Sequence, residues 1–148
     1  MHRLPTILIV DDDEGHSILI RQSLAEVELE NEFVEFRDGQ AVLDFLFKPP
    51  ARGERQPTKV PFLLLLDIRM PKVDGIEVLR RIKYDPRLRA LPVIMLSTTD
   101  DPGEIDRCHK AGCSAYVQKP VDYDTFAEVV RRLGSFIKIL TVPPIAAW

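Results

Sequence analysis

The chain has 148 residues, 45% of them hydrophobic and 29% charged, and a formal net charge of −3 at pH 7. That length suits one domain able to bury a core, and the balance is that of an ordinary globular protein. The charge gives no general attraction to nucleic acid or anionic membranes. No apolar stretch approaches bilayer-spanning length, and MHRLPTILIV does not read as a signal peptide, so a cytoplasmic location is expected.

The first apolar run, ILIV (7–10), leads into Asp11 and Asp12. Residues 14–28 follow as a helix with Ile18, Leu19, Leu24 and Val27 near one face. Glu32–Phe36 reads as a strand before Asp38–Gly39, and 39–47 as a helix carrying Val42, Leu43, Leu46 and Phe47. Residues 48–61 (KPPARGERQPTKVP) are rich in proline and basic residues without apolar period. They read as a long exposed loop, either a solvated insertion or a partner contact. FLLLL (62–66) ends on Asp67. Residues 75–84 form a helix with Gly75 near its start and Asp85–Pro86 as its stop. VIML (93–96) ends on Ser97, 103–111 is a more polar helix ending at Gly112, and AYVQ (115–118) ends on Lys119. Residues 122–139 open on Asp122 as N-cap and carry Phe126, Val129, Val130, Leu133 and Ile137. The tail 140–148 (LTVPPIAAW) is apolar and ends in Trp148. Termini fray by default, but this tail is expected to dock on its own domain or on a second subunit.

Short continuous apolar runs suit strands covered on both faces. The alternation βαβαβαβαβα predicts an α/β fold, a parallel sheet with helices on both faces and right-handed crossovers. The carboxyl edge of such a sheet is where ligands bind. There it gathers Asp11, Asp12 and Asp67 with the Ser97 hydroxyl and the Lys119 ammonium. Carboxylates suit Mg²⁺, which takes a few of them together with water and phosphate oxygens. An ionised Asp67 is also a nucleophile able to form an acyl phosphate. Singly, each residue has a plainer reading: helix N-cap for Asp11–Asp12–Asp13, turn for Asp67, loop cap for Ser97, surface lysine for Lys119. Together, on successive strand ends, they are hard to produce by chance. Cys108 and Cys113 lack metal-ligand spacing and read as free thiols, buried or partly buried.

ILIVDDD, LLLLDIRMPKVDG, PVIMLST and AGCSAYVQKP resemble the receiver domain of two-component response regulators over about residues 5–140. The resemblance implies a doubly wound, flavodoxin-like fold with five parallel strands in the order 2-1-3-4-5 and five helices. It implies a phosphoacceptor role for Asp67 and Mg²⁺ binding by Asp12, Asp67 and the backbone carbonyl of Arg69, with Asp11 acting directly or through water. It makes Ser97 the switch hydroxyl, Lys119 the phosphate contact and Tyr116 the aromatic switch residue. In the family the Lys119–Pro120 peptide is usually cis. The phosphodonor is expected on a sensor histidine kinase or phosphotransfer protein. His2, His16 and His109 read as surface histidines.

The 48–61 insertion, with no output domain after the last helix, resembles single-domain regulators that partner phytochrome-type sensor kinases. That subgroup is often dimeric, which makes a homodimer an expectation. Residues 1–140 are then the receiver domain and 141–148 a dimerisation arm. Arg69, two residues after the acceptor, would sit at the pocket mouth; Thr99 follows Ser97 in the same way. The expected protein is a phosphoacceptor, not a turnover enzyme, although it promotes its own phosphorylation and dephosphorylation. Two alternatives stay open. One is a receiver-fold interaction module indifferent to phosphorylation. The other is an aspartyl-phosphate phosphatase of the haloacid-dehalogenase type, which usually has a second Asp where Arg69 stands.

Overall fold

A computed structural model describes residues 4–47 and 58–147. Its elements are β1 (Thr6–Val10), α1 (Glu14–Glu26), β2 (Phe33–Phe36), α2 (Gly39–Phe47), β3 (Thr58–Asp67), α3 (Gly75–Tyr84), β4 (Val93–Ser97), α4 (Pro102–Ala111), β5 (Ala115–Gln118), α5 (Tyr123–Ile137) and β6 (Pro144–Ala147). The first five strands form one parallel sheet in the order β2-β1-β3-β4-β5. The continuous apolar runs have the expected cause: both faces of the sheet are covered. Leu8, Val10, Leu64, Leu66, Val93 and Met95 face Val42 and Leu46 of α2 and Val78, Leu79 and Ile82 of α3. Their neighbours Ile7, Ile9, Leu63, Leu65, Ile94 and Leu96 face Leu19, Ile20 and Leu24 of α1 and Phe126, Val130 and Ile137 of α5.

Aspartates start all five described helices. Asp13, Asp38, Asp74, Asp101 and Asp122 each accept a backbone N–H of the following first turn. Such caps are worth about 1 kcal/mol apiece. Helix α4 stops at Gly112, whose φ of 105° lies in the left-handed region that suits glycine.

Three expectations are corrected. The basic insertion does not extend to residue 61: β3 already begins at Thr58, while 48–57 lie outside the described residues. The tail docks on its own domain, one of the two places expected for it. Strand β6 pairs antiparallel with the start of β3, Thr58 opposite Ala147 and Pro61 opposite Pro144, and Ile145 is buried in the core on the α2–α3 side. On α1, Ile18 faces outward, and Ser17 and Ser23 take places on the buried side. There is no cis peptide bond among the described residues, so Lys119–Pro120 is trans.

Candidate functional site

Strand register assembles the site. Val10 pairs with Leu66, so Asp11 and Asp67 both come next at the carboxyl edge. Asp67 pairs with Leu96, which puts Ser97 one residue further on the neighbouring strand. Ser97 pairs with Gln118, and the next backbone N–H, that of Lys119, donates to the Ser97 carbonyl at 2.6 Å. Each functional side chain therefore sits where an apolar strand leaves the core.

Oxygens from Asp11, Asp12 and Asp67 lie within 4.8 Å of one another. Asp11 is buried, with both oxygens engaged: Oδ1 accepts the Asp13 N–H at 2.9 Å and Oδ2 accepts from Lys119 Nζ at 2.5 Å. Asp12 faces solvent, and Asp67 is half-buried. Asp67 Oδ1 accepts the Ile68 N–H at 2.9 Å and lies 3.5 Å from Lys119 Nζ. Burial pushes the Asp67 carboxyl up to about 6; Asp11 and Asp12 add to this, and Lys119 and the Ile68 amide oppose it. Three carboxylates thus face one ammonium. Hard oxygen donors with an excess of negative charge and one open side fit a divalent cation such as Mg²⁺.

Ser97 is buried, and its Oγ accepts the Thr99 N–H at 3.3 Å. Tyr116 lies half-buried with its hydroxyl donating to the Thr99 carbonyl at 2.9 Å. Burial raises the phenol above its ordinary value. The Arg69 side chain is 75% exposed and reaches Glu104 of α4 at 4.0 Å. The two cysteines are free, Cys108 buried and Cys113 partly so, and burial pushes the Cys108 thiol up to about 11. A separate groove of about 620 Å³, lined by Leu43, Phe47, Tyr84 and Arg81 among others, lies between α2 and α3 and contains none of these residues.

Two site neighbours and one contact escape a sequence reading. Glu104 is a buried carboxylate on a helix that looks polar throughout. Gly75 lies so close to β3 that a Cβ there would stand 2.1 Å from the Asp67 carbonyl oxygen. Its position directly after the turn DIRMPKVD was the available clue. His16, expected at the surface, is only partly exposed, and its Nδ1 lies 3.4 Å from Lys119 Nζ. His109 is exposed as expected, and His2 lies outside the described residues.

A parallel β2-β1-β3-β4-β5 sheet with acidic residues, hydroxyl and lysine at these strand ends defines a receiver-type signalling domain. The chain belongs to the response regulator receiver domain family, whose family model matches residues 7–131. It is similar to the response regulator Rcp1 of Synechocystis sp., with 31% identity over 138 residues, covering 93% of this chain and 92% of that protein. A crystal structure of Rcp1 in its Mn²⁺-bound form superposes with a TM-score of 0.82 at 28% identity, covering 94% of this chain and 99% of that one. A receiver domain from Rhodospirillum rubrum gives a TM-score of 0.86 at 36% identity, covering 96% and 99% of the two chains. The phosphorylated cyanobacterial phytochrome response regulator RcpA gives 0.82 at 31% identity, covering 97% and 99%.

Proposed function

We propose that this receiver accepts a phosphoryl group on Asp67 and changes its binding surface in response. The observation that carries the reading is the convergence of Asp67 with Asp11, Asp12, Ser97 and Lys119 at one sheet edge. The donor is a histidine kinase or phosphotransfer protein. Likeness to the phytochrome response regulator RcpA supports a phytochrome-type kinase; a place in the cytoplasm is part of the same reading. Asp12, Asp67 and the Arg69 backbone carbonyl would hold Mg²⁺, with Asp11 beside them directly or through water. When bound, the ion supplies positive charge to the phosphoryl oxygens.

An Asp67 carboxylate oxygen attacks phosphorus in line. A P–O bond forms as the donor's P–N bond breaks, and the leaving imidazole nitrogen keeps the electron pair. Lys119, already 3.5 Å from Asp67, offsets the charge carried by the new phosphoryl group. Ser97 turns its hydroxyl toward a phosphoryl oxygen. That releases the Thr99 amide and loosens the loop whose carbonyl holds Tyr116. Tyr116 then moves inward, and the face formed by α4, β5 and α5 acquires a different partner preference. Water attacking phosphorus, promoted by the same residues, forms a new P–O bond as the P–O bond to Asp67 breaks; inorganic phosphate leaves and the Asp67 carboxylate is restored.

Acetyl phosphate with Mg²⁺ tests the reading by intact mass. Wild type is expected to gain one phosphoryl group and Asp67→Asn none; equal behaviour of the two would remove its support. The reading also includes a homodimer formed by exchange of the tail, in which β6, here paired with β3 of its own chain, would pair with β3 of a second copy. Light scattering of the full chain against one ending at Leu140 tests this: loss of the larger mass is expected, and an unchanged mass contradicts it.

A further inference from the structure

The Lys119 ammonium has three N–H donors and, as the structure stands, three neighbours to receive them. Asp11 Oδ2 is at 2.5 Å, His16 Nδ1 at 3.4 Å and Asp67 Oδ1 at 3.5 Å. Asp11 directly follows β1 and His16 lies in the first turn of α1; the third is the proposed acceptor. A lysine chain is otherwise free to rotate its ammonium about the last bond, so two fixed partners decide where the third N–H points. We propose that His16 is a positioning residue: its Nδ1 accepts from Lys119 and, with Asp11, aims the remaining N–H at the phosphoryl group on Asp67.

The ring itself is held on several sides. The His16 backbone N–H donates to Asp13 Oδ1 at 3.1 Å, which fixes the residue in the first turn of α1. The ring meets Phe126 of α5 in an edge arrangement, centroids 5.6 Å apart and planes at 82°. Its Nε2 lies 3.8 Å from Asp13 Oδ2, beyond hydrogen-bond distance, where the carboxylate's charge favours the tautomer protonated at Nε2 that leaves Nδ1 free to accept. The nearer neighbour of Nδ1 is the donor Lys119 at 3.4 Å, not the acceptor Asp11 at 3.7 Å. Histidine is therefore placed as an acceptor clamp rather than as a metal ligand or a phosphoryl carrier.

This inference rests on Asp67 as acceptor, and the experiment separates the two. Single-turnover phosphorylation by acetyl phosphate is followed in wild type and in His16→Leu, His16→Asn and His16→Gln, each first checked for native thermal unfolding. Asparagine places its amide oxygen near the Nδ1 position; glutamine reaches toward Nε2 instead. The expected result is a maximal rate constant lowered about tenfold in His16→Leu and His16→Gln and largely restored in His16→Asn. Half-saturation by acetyl phosphate and the Mg²⁺ dissociation constant from calorimetry should stay unchanged. Without metal, a double-mutant cycle of His16→Leu with Lys119→Met should show coupling of about fivefold in the unfolding constant. Unmodified wild type would overturn the acceptor reading and this inference with it. A normal wild type with an equally fast His16→Leu, equal rescue by Asn and Gln, or no coupling would overturn the positioning role alone.

Discussion

Asp67 is the residue where folding and function pull in opposite directions. Its carboxyl is raised from 3.8 to about 6, first by burial and then by Asp11 and Asp12, against the pull of Lys119. A raised folded-state value means that folding favours the protonated form. The stabilising contribution is complete below about pH 4 and is lost as pH rises through about 6. In metal-free protein at pH 7.5 the ionised group then costs about 2–3 kcal/mol. Asp67→Asn should therefore melt several degrees above wild type at pH 7.5 without metal, and the gap should narrow to about a third of that by pH 4.5. Calorimetric scans at the two pH values check this; a variant less stable at pH 7.5 contradicts the electrostatic account. Gly75 is tied to the same residue through shape. A Cβ there would lie 2.1 Å from the Asp67 carbonyl oxygen and 2.8 Å from Ile68 Cα, so Gly75→Ala must displace the Asp67 backbone. It should cost about 1–3 kcal/mol in denaturant unfolding and slow phosphorylation. Gly103→Ala, whose nearest contact is 3.5 Å, should be neutral or gain up to about 1 kcal/mol.

The elements that carry the site were legible because their cause is local. A run such as FLLLL, apolar at every position and bounded by Pro61 and Asp67, suits a strand covered on both faces and little else. The residue after each run is then at the carboxyl edge without further assumption. Strand β6 was not legible, because PPIAA has weak strand character and its partner is the start of β3, more than eighty residues away. Only the folded chain shows that Lys59 and Val60, which look like the end of a basic loop, form a ladder with Ala146 and Ile145. The His16 contact failed to show for the same reason: Lys119 is 103 residues distant, and only the first turn of α1 beside the end of β5 brings them together. Strand β6 carries its own prediction. Ile145 is 2% exposed within the α2–α3 core, so Ile145→Ala should lower unfolding free energy by about 2–4 kcal/mol. Urea melts test it, and a change below about 0.5 kcal/mol, the scale of ordinary surface substitutions, would mean that β6 is not docked.

Across the whole molecule, the strand ends work as one electrostatic unit. Asp11, Asp12 and Asp67 oppose one another, and Lys119 offsets only part of their charge. A ligand that binds the folded state alone raises its stability in proportion to concentration. Mg²⁺ should therefore raise the melting temperature of wild type at pH 7.5, and Asp12→Ala should lose most of that increase; an equal increase in both would take Asp12 out of the site. On the proposed reading, the surface that switches lies along β5 and α4 and is reached through Ser97, the Thr99 carbonyl and Tyr116. That chain of contacts is short enough for one phosphoryl group to bias two arrangements of the α4–β5–α5 face. All of this depends on where the phosphoryl group is attached. The most direct measurement is borohydride trapping after phosphorylation by acetyl phosphate and Mg²⁺, since reduction of an aspartyl phosphate leaves homoserine at the modified position. Peptide mapping should find homoserine at position 67 alone. Homoserine at position 11 or 12, or at no position in a protein that binds Mg²⁺, would contradict the account.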